Sequence, residues 1–441
     1  MKQSLSILCL LLVPLGLLHG SDSPDGGSSS LWTHIRQSSD LKELRSINAE
    51  WDAGSLGGLL KLTATDSVNH YAWAVIPQPT GGWNLALRSS VQCEITNRGA
   101  APANVQLWVV GDHGWDAISD IATLAAGSTR QFSCRLRETF PDGTPKINPD
   151  QINAIQIMIA GRLEIPATIE VRGLVATGSA PEWKRPDGRM DVPNVKDIPP
   201  SPGHRVRYRL PEDEQANIYS VLHLPKDWVP GGKYPVIVEY PGNIFFVNGC
   251  YSTGLPEQCV IGYGMSKGEG AISLGLPFVD RQAGGIAESG WGNADETADY
   301  LLRMVDEVCT KFGGDRANLV LTGFSRGAIA CGYIGLRNDQ IAPLWKGFHA
   351  CQHYDGDGWG GATMSEAIQR ARRFRGAAVF HTDNSQEKFQ PVMDAMTARV
   401  TFVKSGLGSH SPAMFLDERP STRQLRQWFL GLCHVPGQKG Q

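Results

Sequence analysis

A chain of 441 residues is too long for one ordinary hydrophobic core, so two domains are the starting expectation. A hydrophobic content of 41% with 19% charged residues describes a globular protein and excludes a disordered one. The formal net charge of −3 and the pI near 6.4 give no electrostatic basis for nucleic acid or an anionic membrane as a partner.

The chain opens with Lys2, the apolar run Leu5 to Leu18, then His19, Gly20 and the polar stretch Ser21 to Ser30. That is the layout of a secretory signal peptide over residues 1–20, so a secreted or periplasmic protein is expected. The apolar run is short for a bilayer span and no later stretch approaches one, so no membrane span is expected after its removal. Of the nine cysteines, Cys9 leaves with this segment. The even remainder permits disulfides in an exported chain, with Cys93–Cys134 and Cys250–Cys259 as conceivable pairs beside the alternative of small buried thiols. No CxxC pair with zinc spacing occurs, and no cofactor is expected.

Residues 31–178 carry short β-rich runs at Val91 to Thr96, Val105 to Val110, Thr129 to Leu136, Ala154 to Ile159 and Thr168 to Leu174. Gly, Pro, Asn and Asp separate them, which reads as an antiparallel β-sandwich. In it, Trp73, Trp83, Trp108 and Trp115 are either core residues or aromatic platforms for a sugar ring. Residues 179–203 form a linker, because Pro181, Pro186, Pro193, Pro199, Pro200 and Pro202 exclude helix and central strand.

Across residues 204–433 strands alternate with helices. Arg205 to Leu210 and Ile218 to Leu224 read as a hairpin, Pro235 to Tyr240 and Ala271 to Leu276 as buried strands, and Ala294 to Phe312 as an amphipathic helix. Leu319 to Thr322 is a strand feeding a small-residue helix from Arg326 to Leu336. Lys346 to Ala350, Ala377 to Phe380 and Val400 to Val403 are further strands, and Ser421 to Leu432 closes the chain as a helix. The pattern predicts an α/β fold with a mostly parallel sheet flanked by helices.

Between the strand and the small-residue helix lies Gly323-Phe324-Ser325-Arg326-Gly327. A GxSxG match is weak alone in a chain with 50 glycines. Here a strand runs in and a helix runs out, which lifts the serine hydroxyl clear of the sheet and aims free helix N–H groups at a developing oxyanion. The second match, Gly264-Met265-Ser266-Lys267-Gly268, has neither an incoming strand nor an outgoing helix. Ser325 is therefore the expected nucleophile and Ser266 is not.

A neutral hydroxyl needs a base. His410, in the glycine-rich loop Gly406-Leu407-Gly408-Ser409-His410 after the last core strand, is the expected one. Asp383, after the preceding strand, is the expected acid, with Asp355 or Asp357 as the alternative acid one loop earlier. The oxyanion hole is expected from the Arg326 N–H and from Gly242 or Asn243. The Arg326 side chain either adds charge near the oxyanion or a substrate carboxylate, or points into solvent. His349 and His353 with Asp355 and Asp357 are metal-like in composition only, because they lie on a strand end and a loop; no metal is expected.

With these motifs placed, residues 204–433 resemble the α/β-hydrolase superfamily, and more narrowly exported esterases and the catalytic domains of prolyl-oligopeptidase-type peptidases. The hairpin leading to Tyr234-Pro235-Val236-Ile237-Val238 is common to both groups. Two departures stand out: Pro241-Gly242 where many members have His-Gly, and a single carboxylate in Asp383-Asn384-Ser385 where members often have two. Glucuronoyl esterases also carry Ser-Arg at this turn, but without the glycine that follows Arg326 here. The first half is similar to galactose-binding-like jelly-roll modules, on Trp83-Asn84-Leu85 through Val91, the turn Asn97-Arg98-Gly99 and Ile152-Asn153-Ala154-Ile155-Gln156-Ile157. These resemblances imply a serine esterase acting on a carbohydrate or polysaccharide ester through a Ser-His-Asp acyl-enzyme. A serine peptidase, or a glycan-binding protein with an inactive hydrolase half, is the alternative; the first half is too short for a β-propeller.

Overall fold

The computed structural model describes residues 27–44, 47–55, 57–65, 70–111, 116–247, 250–408, 410 and 415–433. The expected leader at 1–20 and Trp115 lie outside them.

The first half is built from two antiparallel sheets. One runs Ile47–Asp52, Leu59–Ala64, Ala167–Thr177, Ser90–Asn97, Thr129–Arg135, with Ser29–Ser30 added to Ala167–Thr177. The other runs Lys42–Leu44, Tyr71–Ile76, Ile152–Ala160, Ala103–Gly111, Ala117–Leu124. Alternate residues fill the space between them: Leu60 and Leu62, Val91, Cys93 and Ile95, Val105, Leu107 and Val109, Ile155, Ile157 and Ile159 form one apolar cluster. Period-two alternation thus produces the sandwich core.

The centre of the second sheet's outer face is covered. Trp73, Trp108, Val110 and Met158 on that face pack against Ile244, Phe246 and Tyr251 from the second half of the chain. Trp73, Trp83 and Trp108 are buried, at 4%, 7% and 1% exposure. Of the two readings of these tryptophans, core residue and sugar platform, burial gives the first: Trp83 belongs to the sandwich core, while Trp73 and Trp108 are covered by Ile244, Phe246 and Tyr251.

The second half is organised on a nine-stranded sheet. At one edge Val195–Lys196 runs parallel to Arg205–Tyr208, so the proline-rich segment contributes a two-residue edge strand. Arg205–Tyr208, Ser220–His223 and Ile272–Gly275 pair antiparallel. From Ile272–Gly275 through Tyr234–Tyr240, Gly314–Phe324, Trp345–Cys351, Ala378–Thr382 and Arg399–Val403 every neighbour is parallel. On one face Val236, Val238, Leu319 and Leu321 meet Leu301 and Met304 of helix Ala294–Lys311 and Ala328 of helix Arg326–Tyr333. On the other, Ile237 and Val320 meet Ile261, Met265, Leu425 and Phe429 from helices Ile261–Ser266 and Pro420–Leu432. Cover on both faces is why these strands read as continuous apolar runs.

The described cysteines are free thiols, which corrects both conceivable disulfides. Val91 pairs with Cys134 and Cys93 with Phe132, so the two thiols are diagonal neighbours in the sandwich core and not directly opposed. Cys134 donates to the Leu107 carbonyl at 3.4 Å. Cys259 donates instead to the Glu239 carbonyl at 3.6 Å, and Cys250 packs with Phe140 and Phe324.

Candidate functional site

Strand Gly314–Phe324 ends against helix Arg326–Tyr333 with Ser325 alone between them, at φ 54° and ψ −120°. A positive φ at a residue with a side chain is strained and has to be held by its surroundings. The surroundings are tight. The Ser325 N–H donates to the Cys351 carbonyl at 3.0 Å, and a Cβ on Gly327 would lie 2.0 Å from the Tyr240 carbonyl oxygen. The glycines flanking the serine therefore let the neighbouring strand and the helix close on the turn.

His410 Nε2 lies 3.0 Å from Ser325 Oγ, and its ring packs on Phe324 with centroids 4.7 Å apart. Burial first, and then neighbouring His353, push the His410 pKa down to about 4. At neutral pH the imidazole is uncharged and able to take the serine proton.

The expected acid sits one step away. Asp383, at φ 58° just past strand Ala378–Thr382, accepts from the Ser405 N–H at 2.7 Å, from the Ser405 hydroxyl, and from Gln352 Nε2 at 3.4 Å. Among the described residues its carboxylate has no hydrogen bond to His410. It anchors Ser405, which opens the loop that carries the histidine.

The alternative acids have different fates. Asp355 is buried in a bidentate ion pair with Arg370, at 2.7 and 2.8 Å, and burial raises its pKa against that pairing. It is not the partner of His410. Asp357 Oδ2 lies 2.6 Å from His353 Nδ1, and its Oδ1 accepts from the Trp359 N–H at 2.9 Å. Burial acts to raise the Asp357 pKa, but the bonds from His353 and Trp359 hold it below the usual carboxylate range. The His353 ring meets the His410 ring edge to face at 5.2 Å.

Arg326 follows neither of its two readings. Its guanidinium is buried and donates to four backbone carbonyls: Ala287 at 3.0 Å, Gly290 at 2.8 Å, Gly242 at 2.8 Å and Gly254 at 3.1 Å. It stacks over Phe278 at 4.0 Å, and burial lowers its pKa to about 9. It ties together the loops around the turn and faces neither solvent nor ligand. Asn243 adds a second tie, its Oδ1 accepting from the Gly290 N–H at 3.0 Å.

The remaining polar residues are structural. His349 Nδ1 lies 2.8 Å from Thr322 Oγ1 and its Nε2 3.0 Å from Thr382 Oγ1, inside the sheet and apart from His353. Ser266 ends helix Ile261–Ser266, with its hydroxyl donating to the Gly262 carbonyl at 3.0 Å. The His353–Asp357 pair and the Arg326 clamp are what sequence reasoning missed. Their only advance signal is the four-residue spacing of His353 and Asp357, which has no meaning until the loop is folded.

No family model matches this chain, and no curated protein does. Solved structures give low-level likenesses. A Paenibacillus sp. R4 acetyl xylan esterase is 11% identical at TM-score 0.35, over 49% of this chain and 80% of its own. The isopeptidase AtxE2 is 11% identical at TM-score 0.38, over 89% of this chain, which spans 62% of that protein's length. The family 11 carbohydrate-binding module of a Clostridium thermocellum cellulosomal cellulase is 14% identical at TM-score 0.27, over 35% of this chain and 96% of its own. At these scores no assignment follows from them, and function has to be read from the site.

Proposed function

We propose that this protein is an exported serine hydrolase of the α/β-hydrolase type that cleaves a carboxylic ester, with Ser325 as nucleophile and His410 as base. The observation that carries this is the 3.0 Å approach of His410 Nε2 to the hydroxyl of a serine strained at a strand-to-helix turn. The strand order supports it too, with an antiparallel entry hairpin leading into parallel strands and the turn at the end of a central strand.

In this reading the Ser325 proton passes to His410 as Oγ attacks the ester carbonyl. The oxyanion is met by the Arg326 N–H, at the helix start where no intrahelical acceptor exists. Because a trans peptide is planar with its C=O and N–H opposed, the Arg326 guanidinium on the Gly242 carbonyl fixes the direction of the Asn243 N–H. Asn243 is thus favoured over Gly242 as the second donor. His410 then gives its proton to the leaving alcohol, and water, activated by the same imidazole, releases the acyl group. Asp383 acts through Ser405 on the position of the histidine loop.

The burial of Trp73 and Trp108 weighs against a protein that only binds glycans through that face. A fluorophosphonate probe together with turnover of a short-chain ester tests the proposal. Labelling at Ser325, lost with turnover in Ser325→Ala, is expected; an unlabelled protein, or undiminished turnover in Ser325→Ala, rejects it.

A further inference from the structure

Asp357 holds two different groups on one loop beside the catalytic histidine. Its side chain is 4% exposed, whereas that of His353 is 40% exposed. One oxygen takes His353 Nδ1 at 2.6 Å and the other takes the Trp359 backbone N–H at 2.9 Å. The carboxylate accepts only, so the proton between Asp357 and His353 resides on Nδ1, which fixes the ring and leaves Nε2 pointing away from Asp357. Among the described residues that Nε2 has no hydrogen-bond partner. The ring stands edge-on to His410 at 5.2 Å, within one side chain of the reacting serine.

Trp359, whose backbone N–H is on the same carboxylate, is one of the few large exposed hydrophobic residues among those described, at 38%. Its indole is braced edge to face by Trp291 at 5.1 Å, and Trp291 stacks in turn on Tyr333 at 4.4 Å. Trp291 Nε1 donates to the Gly360 carbonyl at 2.7 Å, which fixes the turn next to Trp359. A braced, exposed indole and an imidazole held by the same carboxylate match a ring that has an apolar face and hydroxyl groups at its edge.

We propose that His353 and Trp359, both set by Asp357, form the subsite for the alcohol part of the ester, and that this alcohol is a pyranose ring. Trp359 stacks on the face of the sugar, and His353 Nε2 shares a hydrogen bond with one of its hydroxyls. His353 is a substrate-binding residue in this scheme and not a second base. The inference rests on Ser325 being the nucleophile.

The test compares two esters of the same ring size, a mono-acetylated methyl glucopyranoside and cyclohexyl acetate, by acetate release. The wild type is expected to favour the sugar ester in kcat/KM by at least tenfold. Trp359→Ala is expected to raise KM for the sugar ester about tenfold with little change in kcat, and Trp359→Phe to restore most of it. His353→Gln is expected to remove most of the preference for the sugar over cyclohexyl acetate. Absence of a preference in the wild type overturns the proposal. So does an equal fall in kcat on both esters in His353→Gln, which marks a proton relay. Failure of the underlying reading is distinguishable: Ser325 would then remain unlabelled by fluorophosphonate and neither ester would turn over.

Discussion

The Arg326 guanidinium donates to the Gly242 carbonyl at 2.8 Å, so the residue after the nucleophile grips the residue before Asn243. With Ala287, Gly290 and Gly254 as its other acceptors, one side chain fixes three loops around the turn. Replacing it leaves the Gly242 and Gly254 carbonyls buried without this donor and frees the half-buried Ala287 and Gly290 carbonyls. Arg326→Met is expected to destabilise the fold by about 3–5 kcal/mol, the range for breaking a buried charged network. Arg326→Lys is expected to recover only part of this, because an ammonium cannot reproduce the planar fork. Thermal unfolding of both variants checks this, and a Lys variant as stable as the wild type contradicts it.

Asp383 supplies acceptors to Ser405 through both oxygens. Asp383→Asn keeps the shape but turns an amide donor toward groups that are themselves donors. The His410 loop then loses its anchor, and kcat is expected to fall about a hundredfold, the cost of an ångström-scale misplacement of a catalytic group. Asp355→Asn, which breaks the Arg370 ion pair, is expected to lower stability while leaving much of kcat. Steady-state kinetics on both variants, with unfolding midpoints alongside, separates the two carboxylates.

These carboxylates also mark how far the sequence could be read. Strand–serine–helix is local, and Leu319 to Thr322 followed by Gly323-Phe324-Ser325-Arg326-Gly327 was legible because backbone sterics alone demand glycines there. The histidine and its loop followed from chain order. The partner of each aspartate was not legible: Asp355, Asp357 and Asp383 differ in their neighbours Arg370, His353 and Ser405, which only the folded loops bring to them. The sandwich shows the same limit. Inward alternation at Val105, Leu107 and Val109 was clear, but Trp108 on the opposite face stayed open between core and platform, because the Phe246 and Tyr251 that cover it come from the other half of the chain. Strand Ile152–Ala160 did carry a hint, being apolar at nearly every position where a solvated face should alternate.

The pH behaviour has two parts. His410 must be unprotonated to act, so kcat/KM is expected to hold through mildly acidic pH and to fall as pH drops through about 4. Stability responds over a wider window. Burial lowers His223, His349 and His381 to about 3 each in the folded protein, against an ordinary value of 6.5. Between those values the unfolded chain binds protons that the folded one does not. Stability is therefore full above 6.5 and declines as pH falls toward 3, by up to about 1.4 kcal/mol per pH unit for each histidine. Denaturant midpoints from pH 7 to pH 4 check the sign, and a midpoint that rises on acidification contradicts it. His349→Gln is expected to flatten the decline.

One link between the sandwich and the active site runs through the paired strands Phe245–Val247 and Cys250–Ser252. Tyr251 donates to Gln156 Oε1 at 2.8 Å, and Phe246 packs against Tyr71, Trp73 and Trp108 at centroid distances of 4.7, 5.5 and 6.1 Å. Phe246 lies three residues past Asn243, so the loop that offers the second oxyanion donor is continuous with the strand held against the sandwich. Phe246→Ala is expected to cost about 3–5 kcal/mol by opening a cavity in that aromatic cluster. It is also expected to lower kcat about tenfold, since a donor displaced by a fraction of an ångström stabilises the oxyanion less. Leu62→Ala, in the sandwich core, supplies the comparison: it is fully buried and remote from the hairpin. A similar loss of stability with kcat retained is expected there. Equal kcat in the two variants would mean that the sandwich supports the hydrolase half only by its stability, with no hold on the oxyanion loop.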